Sequence, residues 1–312
     1  MLIEADPKQY FHFFSSDPHP FITRGFTELN SKKAEKILYI TEDVKKPGLG
    51  LIAGLRDGWL LSPFSAPFGG FHFRKETMYI HEMEEFLAAL KTFVADQQYR
   101  GIKITLPPDI YNQTVNSKLV KSFYNEGYRN EVLDITNWVD LQAFQERFSQ
   151  KNSREYYKQA VRNGLTFVRT DDEKMHREIY ELIRHNREKF GRPIYMTLED
   201  IKATGELWPV DYFRVTTTDG EIVAAAIIYQ SHPEIAYALF WGDNDAGRQL
   251  RAMDYLAFHL WSHYKEQGFN YLDLGISTES GEPNEGLLRF KESHEAVSSL
   301  KYRFILDTTD AN

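Results

Sequence analysis

The chain has 312 residues, a formal net charge of −8 at pH 7 and 42% hydrophobic residues. This content is enough for a buried core in one large or two ordinary domains. The acidic balance excludes a general nucleic-acid binder but not a local basic groove, because such affinity comes from Lys and Arg neutralising phosphates. The lack of cysteine excludes disulfides, thiolate zinc sites and cysteine nucleophiles.

The first residues and the hydropathy pattern predict where the protein is found. MLIEADPKQYFHFF lacks the basic start and continuous apolar stretch of a signal peptide. No segment approaches the roughly 20 apolar residues that span a bilayer. We therefore expect a cytoplasmic protein without a membrane span.

The first half predicts a meander of strands followed by a helix and another strand. KILYIT, GLIAGL and WLLS have the apolar content of strands, and Asp57-Gly58 suits a tight turn between the last two. Apolar residues then recur at helical spacing and share one face: Phe86, Leu87, Leu90, Phe93 and Val94. Gly101 and the strand IKITLP follow.

The second half repeats this order. DYFRVTTTDGEIVAAAIIY predicts two strands joined at Asp219-Gly220, and EIAYALFW at 234–241 predicts a third. A helix follows, because apolar residues recur at intervals of three and four: Met253, Leu256, Ala257, Leu260, Trp261 and Tyr264. Gly268 ends this helix, and FNYLDL is the next strand.

We interpret the two halves as copies of one α/β (α+β) unit, each a mixed, mostly antiparallel sheet flanked by helices. The predicted domains are residues 1–150 and 151–312. A helical connection is predicted over LQAFQERFSQKNSREYYKQAVRNG, residues 141–164.

The order of these elements and four segments carry a resemblance to a known superfamily. The segments are SPFSAPFGGF at 62–71, KNSREYYKQAVRNGLTF at 151–167, NREKFGRP at 186–193, and YLDLGIS followed by GLLRFKES at 271–293. Over roughly residues 35–306 the chain resembles the FemAB-like branch of the GCN5-related N-acetyltransferase (GNAT) superfamily, with two GNAT units in tandem. The resemblance implies transfer of an acyl or aminoacyl group to an amine, often on precursors of peptidoglycan or other surface glycans.

The resemblance also implies a place for the donor. In single-unit members the third meander strand and the strand after the helix separate, the pantetheine arm of acyl-CoA binds the exposed backbone, and the diphosphate meets the helix start. Here those strands are 234–241 and 270–274, and the implied cofactor-binding residues are Ala246, Gly247, Arg248, Gln249, Leu250 and Arg251.

The composition of this helix start leaves the donor open. Helix amides favour phosphate, Gly247 permits close approach, and two arginines add charge. Asp243 and Asp245 oppose a diphosphate, and the usual acetyltransferase signature is absent. Acyl-CoA and aminoacyl-tRNA, which other FemAB-like enzymes use, are therefore both candidate donors.

Three residues are predicted to act in catalysis. Lys291 either directs its ammonium at a developing oxyanion or a substrate phosphate, or is a surface charge. Asp273 alternates with Leu272 and Leu274, so it faces away from the apolar side of its strand and is either a general base or a cap. Tyr237 either protonates the leaving group or is a core residue.

Other residues are predicted to contact the substrate. They are Phe68, Gly69, Arg154, Arg187 and Trp241. Arg154 shares one helix face with Lys158 and Arg162, and this basic stripe either binds phosphate or RNA or is a solvated face. The segment with Phe68 and Gly69 either touches the acceptor or is a tight loop, and Arg187 is a candidate anion clamp.

The remaining signals do not indicate a metal site. His259 and His263 share a helix face, but neither the glutamate of an HExxH pattern nor a third ligand accompanies them. The sequence therefore predicts a metal-independent N-acyltransferase that uses acyl-CoA or aminoacyl-tRNA and acts on an amine of a small molecule or cell-surface-glycan precursor. The alternative is a noncatalytic binding protein with a blocked donor cleft, which the two acidic residues before Gly247 favour.

Overall fold

The chain forms two compact units in the computed structural model, which describes residues 1–308. Unit 1 comprises residues 1–135, 280–282 and the chain from residue 299, and unit 2 comprises residues 136–279 and 283–298. The division at residues 150 and 151 stays a prediction about domains. The compact units have other bounds: the first boundary lies between residues 135 and 136, and most of the last strand belongs to unit 1.

The elements follow one another as the alternating pattern of the sequence predicts. The strands are β1 (Leu2–Glu4), β2 (Lys36–Glu42), β3 (Leu49–Arg56), β4 (Trp59–Ser62), β5 (Phe71–Phe73), β6 (Gly101–Thr105), β7 (Arg129–Asp140), β8 (Thr166–Thr170), β9 (Val210–Thr216), β10 (Ile222–Tyr229), β11 (Ile235–Asp243), β12 (Tyr271–Ile276), β13 (Thr278–Glu279), β14 (Glu282–Pro283) and β15 (Ala296–Asp307). The helices are α1 (Pro7–Phe13), α2 (Arg24–Asn30), α3 (Ile80–Asp96), α4 (Asp109–Asn125, with non-helical backbone at Asn112), α5 (Lys151–Arg162), α6 (Glu173–Lys189), α7 (Leu198–Thr204), α8 (Asp245–Leu250), α9 (Ala252–Glu266) and α10 (Glu285–Ser293).

Unit 1 contains the meander predicted for the first half. Its strand order is β1-β2-β3-β4-β6-β15, with β5 paired to β3. β2, β3 and β4 are antiparallel, and β6 returns parallel to β4 through four residue pairs, from Trp59–Gly101 to Ser62–Ile104. The crossing helix α3 buries most of its predicted apolar face in the core of this unit.

Unit 2 repeats the layout. Its strand order, beginning with residues 136–140 of β7, is β7-β12-β11-β10-β9-β8. β9, β10 and β11 are antiparallel, and β12 returns parallel to β11. The crossing helix α9 buries the predicted stripe of Leu256, Leu260, Trp261 and Tyr264 completely. The predicted fold class, tandem units with mostly antiparallel sheets flanked by helices, is confirmed.

The predicted helical connection is longer than the helix observed. Residues 141–143 form a turn, residues 144–150 are irregular, and α5 begins only at Lys151. The turn starts where the Asp140 carboxylate accepts a hydrogen bond from the Ala143 amide at 3.0 Å. Phe144 and Phe148 are then buried in the core of unit 2, and this packing overrides the helical propensity of the segment.

No helix among the described residues is long and apolar enough to cross a membrane.

Candidate acyl-transfer site

The parallel ladder between β11 and β12 is short. Its pairs are Ile235–Tyr271, Ala236–Leu272 and Tyr237–Asp273, and β11 continues to Asp243 without a β12 partner in the described ladder. After Asp273, β12 keeps its pairing with β7, with a register shift before Gly275. The parallel ladder therefore ends at Tyr237, as predicted, and the following residues of β11 have no β12 partner within it.

Lys291 lies at the end of the paired region. Its side chain is 1% exposed, and its ammonium donates hydrogen bonds to the carbonyl oxygens of Gly275 and Ile276, both at 2.9 Å. The interpretation as a surface charge is therefore wrong. A buried ammonium is costly unless it is hydrogen-bonded, and the turn at the end of β12 supplies such bonds.

Asp273 and Gly275 shape this turn. Asp273 is 1% exposed, and its carboxylate accepts a hydrogen bond from the Gly275 amide at 2.8 Å. Gly275 has a φ of +67°, a left-handed conformation that glycine adopts without steric cost. The turn directs two successive carbonyl groups towards Lys291, so Asp273 and Lys291 hold the same loop from two sides.

Tyr237 belongs to the same cluster. A methyl group built on Gly275 would lie 3.9 Å from the Tyr237 hydroxyl oxygen. Burial raises the pKa of Tyr237 well above its usual value, and the negative charge of Asp273 raises it further. The three predicted catalytic residues therefore meet in one buried cluster, although their chemical roles stay predictions.

Arg187 on α6 lies near this cluster. Its guanidinium carbon is 5.5 Å from the centre of the Phe240 ring, and its Nε is buried with no hydrogen-bond partner within the described part of the chain. Burial lowers the pKa of Arg187, nearby Arg192 lowers it further, and Tyr237 and Glu279 oppose this. A buried guanidinium with an unused donor can bind an anionic group, as the prediction of an anion clamp requires.

The sequence interpretation missed the residues around Arg187. Arg192 forms an ion pair with Glu279, which lies in the two-residue strand β13 that follows β12. Both belong to segments that the resemblance had singled out, but nothing in the sequence indicated that the two segments meet. A second missed pair is His294 and Asp254, which are buried and 3.0 Å apart and join the end of α10 to the first turn of α9.

The predicted donor-binding residues begin at α8, where Gly247 has a structural role and its contact with a donor stays a prediction. Its amide donates to the side-chain oxygen of the capping residue Asn244 at 2.8 Å. A methyl group at Gly247 would lie 2.1 Å from the carbonyl oxygen of Val223. The glycine therefore permits close packing of α8 on β10, and its amide is already bonded within the protein.

The charges near α8 are also paired. Arg248 lies 3.3 Å from Asp243 and 3.5 Å from Asp245, and Lys189 lies 2.6 Å from Asp245. Burial raises the pKa of Asp243, and Arg248 opposes the shift. These residues line a cavity of about 610 Å³ between α6 and the ends of β10 and β11. A diphosphate placed here would have to compete with two carboxylates.

Of the remaining predicted donor-binding residues, two pack against the core, one is exposed and one connects two helices. Ala246 and Leu250 pack against the core of unit 2, and Gln249 is exposed. Arg251 joins α8 to α9 with a φ of +62°. Its guanidinium stacks 3.8 Å from the centre of the Tyr156 ring.

The predicted substrate contacts are spread over the chain. The Arg154 guanidinium donates to the backbone carbonyls of Phe148, at 3.0 Å, and Ser149, so it holds the turn before α5. Trp241 is partly buried against the rings of Trp261 and Phe290. Phe290 directly precedes Lys291 in the sequence.

Phe68 and Gly69 are enclosed in unit 1. The Phe68 ring is 1% exposed and packs against the rings of Phe21 and Tyr111. A methyl group at Gly69 would lie 2.7 Å from the backbone of Ser62. A substrate contact from this segment would therefore have to come from its backbone, and that role stays a prediction.

Residues 1–308 contain no group of three or more His, Cys, Asp or Glu side chains placed to hold a metal ion.

Comparison with known families agrees with this geometry. Residues 147–292, which include the separated strands and Lys291, match the family described as acetyltransferase (GNAT) domain. This segment is a GNAT domain. The chain therefore carries a domain of an acyltransferase family, and the GNAT domain coincides with most of unit 2. No curated protein sequence matched the chain.

Solved structures with the same fold extend over both units. The crystal structure of FemX has a TM-score of 0.68 at 11% identity, covering 100% of this chain and 98% of FemX. The C-terminal domain of a putative lysylphosphatidylglycerol synthetase from Agrobacterium fabrum has a TM-score of 0.61 at 14% identity, covering 98% and 94%. A tandem GNAT protein from the clavulanic acid biosynthesis pathway has a TM-score of 0.58 at 9% identity, covering 98% of both chains. The whole chain thus has a tandem GNAT fold, in which the GNAT domain is the second copy.

Proposed function

We propose that the protein is an N-acyltransferase that moves an acyl or aminoacyl group from an activated donor to an amine of a small molecule or a cell-surface-glycan precursor. The observation that carries the proposal is the buried ammonium of Lys291 at the point where β11 and β12 separate. A positive charge held in a dry site stabilises the negative charge that develops on a carbonyl oxygen.

The reaction requires one bond to form and one to break. The neutral amine attacks the carbonyl carbon of the thioester or ester, the new C–N bond forms, and the C–S or C–O bond to the carrier breaks. Lys291 faces the developing oxyanion. Tyr237 is protonated at neutral pH, as any tyrosine is, and burial raises its pKa further; it gives its proton to the leaving group. Asp273, or a water molecule beside it, takes the proton of the amine.

The surroundings of α8 favour an aminoacyl-tRNA donor over acyl-CoA. The Gly247 amide is capped by Asn244, and Arg248 is paired with Asp243 and Asp245. The place where GNAT enzymes hold the diphosphate of coenzyme A is therefore occupied by the protein's own groups. Acyl-CoA is the second candidate, because the strand separation that would hold a pantetheine arm is present. Both donors are cytoplasmic molecules, and we place the reaction in the cytoplasm.

A noncatalytic role fits the geometry less well. A blocked donor cleft would require β11 and β12 to stay paired, whereas their ladder ends at Tyr237 and Asp273.

Native mass spectrometry of the full-length protein with acetyl-CoA, a long-chain acyl-CoA and aminoacyl-tRNA tests the proposal. We expect a complex with at least one donor, and release of the free carrier when a pool of amine acceptors is added. Lys291→Met should still bind the donor but release carrier at least 100-fold more slowly, by about the effect of losing an oxyanion contact. Binding of none of the three donors would overturn the proposal.

A further inference from the structure

A second cavity in unit 2 shares no lining residue with the acyl-transfer cluster. It has a volume of about 310 Å³ and opens beside the first turns of α5. Its aromatic lining consists of Phe148, Tyr157 and Phe258. The rings of Tyr157 and Phe258 are stacked at 4.0 Å and 22°, and Phe148 meets Phe258 edge-on at 5.7 Å and 85°. Phe148 is buried, so the accessible aromatic surface of the cavity comes from the partly buried rings of Tyr157 and Phe258, which hold each other in a fixed arrangement.

The rim of this cavity is basic. Arg147, Arg154 and Lys158 line it, against one carboxylate from Glu146. The Arg154 guanidinium is held by two backbone carbonyls, so its charge has a fixed position. The Lys158 side chain is 60% exposed and pairs with Glu155 only at the surface. In a chain with a net charge of −8, this excess of positive charge is a local feature.

A ligand for this cavity must use both the rings and the cations. A plain acyl chain would leave the charges unused, and a simple inorganic anion would leave the aromatic surface unused. A flat heterocycle that carries a phosphate uses both, because bases stack on aromatic side chains and Arg or Lys neutralises the phosphate. The neighbouring turn of α5 continues this pattern with Arg251 stacked on Tyr156.

We propose that this cavity binds one nucleotide of the donor. The proposal rests on the proposed function, because both candidate donors end in a nucleotide. The nucleotide comes either from the adenosine bisphosphate end of coenzyme A or from the unpaired 3′ end of a tRNA. A site here would supply the phosphate contacts that α8, with its paired charges, does not offer.

The test uses the full-length protein, adenosine 3′,5′-bisphosphate, and a labelled five-nucleotide RNA that ends in CCA. Binding is measured by calorimetry for the bisphosphate and by fluorescence anisotropy for the RNA at several salt concentrations. The variants are Arg147→Gln and Lys158→Gln for the phosphate and Phe258→Leu for stacking. Arg162→Gln is the control, because Arg162 belongs to the same basic stripe on α5 but does not line the cavity, so it separates binding in the cavity from binding along the stripe. Arg154 is left unchanged because it holds the turn before α5.

We expect at least one probe to bind. Each of the three cavity variants should weaken binding roughly tenfold, the loss of one stacking or phosphate contact. Arg147→Gln and Lys158→Gln should also reduce the dependence of RNA binding on salt, whereas Arg162→Gln should do neither. Binding of the bisphosphate alone identifies coenzyme A as the source, and binding of the RNA alone identifies tRNA.

Two results would overturn the nucleotide site. One is that neither probe binds, and the other is that the cavity variants bind as tightly as Arg162→Gln. Circular dichroism of each variant shows whether it is folded, and Arg147→Gln keeps the test valid if Phe258→Leu is not. If the cavity variants transfer the acyl group normally while Lys291→Met does not, the nucleotide site fails and the acyltransferase proposal stands.

Discussion

Tyr237 and Asp273 form the last residue pair of the parallel ladder between β11 and β12. Lys291 reaches the same point from α10 by hydrogen bonds to the loop that follows Asp273. The proposed acid, base and oxyanion contact are therefore fixed to the strand ends and not to a mobile side-chain arrangement. Rigid placement of this kind lowers the cost of reorganisation during a reaction.

Replacing Lys291 with Met should reduce transfer far more than it reduces stability. Met keeps most of the unbranched side chain but removes the ammonium, so kcat should fall by about 100- to 1,000-fold. Two carbonyl groups lose their donor, which should lower the free energy of unfolding by about 1–3 kcal/mol. Steady-state kinetics and urea unfolding measure the two effects. Arg289→Gln, an exposed change on the same helix, should alter neither, and an active Lys291→Met enzyme would contradict the assigned role.

Replacing Tyr237 with Phe should lower kcat without changing the shape of its pH dependence. Burial and Asp273 raise the pKa of Tyr237, so the hydroxyl stays protonated from about pH 6 to 9, where an ordinary tyrosine is also neutral. The loss of the proton donor should cost roughly 10- to 100-fold in kcat at every pH in this range. Rates measured across it check this. If the wild-type profile has a limb that vanishes in Tyr237→Phe, the tyrosine titrates and the pKa argument fails.

Replacing Gly247 with Ala should destabilise unit 2. The added methyl group would lie 2.1 Å from the Val223 carbonyl oxygen, part of the backbone of β10. Such overpacking should cost about 3 kcal/mol in thermal or urea unfolding. Gly286→Ala is the control, because its methyl group would meet its nearest neighbour only at 3.8 Å. Equal stability of the two variants would show that packing does not require glycine at position 247, and would leave ligand contact as the reason for it.

Lowering the pH should destabilise unit 1 through His72. Burial lowers the pKa of His72, and Asp17 only partly offsets the shift. The unfolded chain, with an ordinary histidine pKa of about 6.5, binds the proton at a higher pH than the folded chain does. Stability is therefore complete above about pH 6.5 and falls below it, by up to about 1.4 kcal/mol per pH unit, until the pH reaches the folded pKa.

Guanidinium unfolding between pH 5 and 7.5 tests this dependence. His72→Gln should lower stability at neutral pH, because the contacts of His72 with Tyr10 and Asp17 are disturbed, but should reduce the loss on acidification. His81→Gln changes an exposed residue and should keep the wild-type dependence. Parallel pH curves for wild type and His72→Gln would exclude His72 as a cause.

The periodic parts of the sequence predicted the fold well. The stripe on α9 and the Asp219-Gly220 turn have local causes, namely helical spacing and turn geometry, and both are found as expected. The predicted start of the helical connection at residue 141 was wrong because Phe144 and Phe148 are used as core residues and not as a helix face. Tertiary packing of single aromatic residues leaves no periodic signal.

The site was predictable where it depends on strand order, and not where it depends on pairing between distant loops. Tyr237, Asp273 and Lys291 come together because parallel strands and the following helix place them there. Arg192 lies in the irregular segment after α6 and meets Glu279 in the short strand β13, a contact that no spacing indicates. The packing role of Gly247 was missed because a glycine that allows ligand approach and one that allows a helix to pack on a strand look the same in a sequence.

The continuous β4–β6 ladder of unit 1 also bears on how the sequences of the two units have diverged. Its four pairs cover all of β4, so the first copy of the duplicated layout offers no opening of the kind that unit 2 has beyond Tyr237. Under the proposed function only unit 2 binds the donor. The sequence of unit 1 then has to preserve only its fold, and it can diverge further than the sequence of unit 2. The family model matches residues 147–292 and not the first copy. This is expected if donor binding constrains the sequence of the second copy alone.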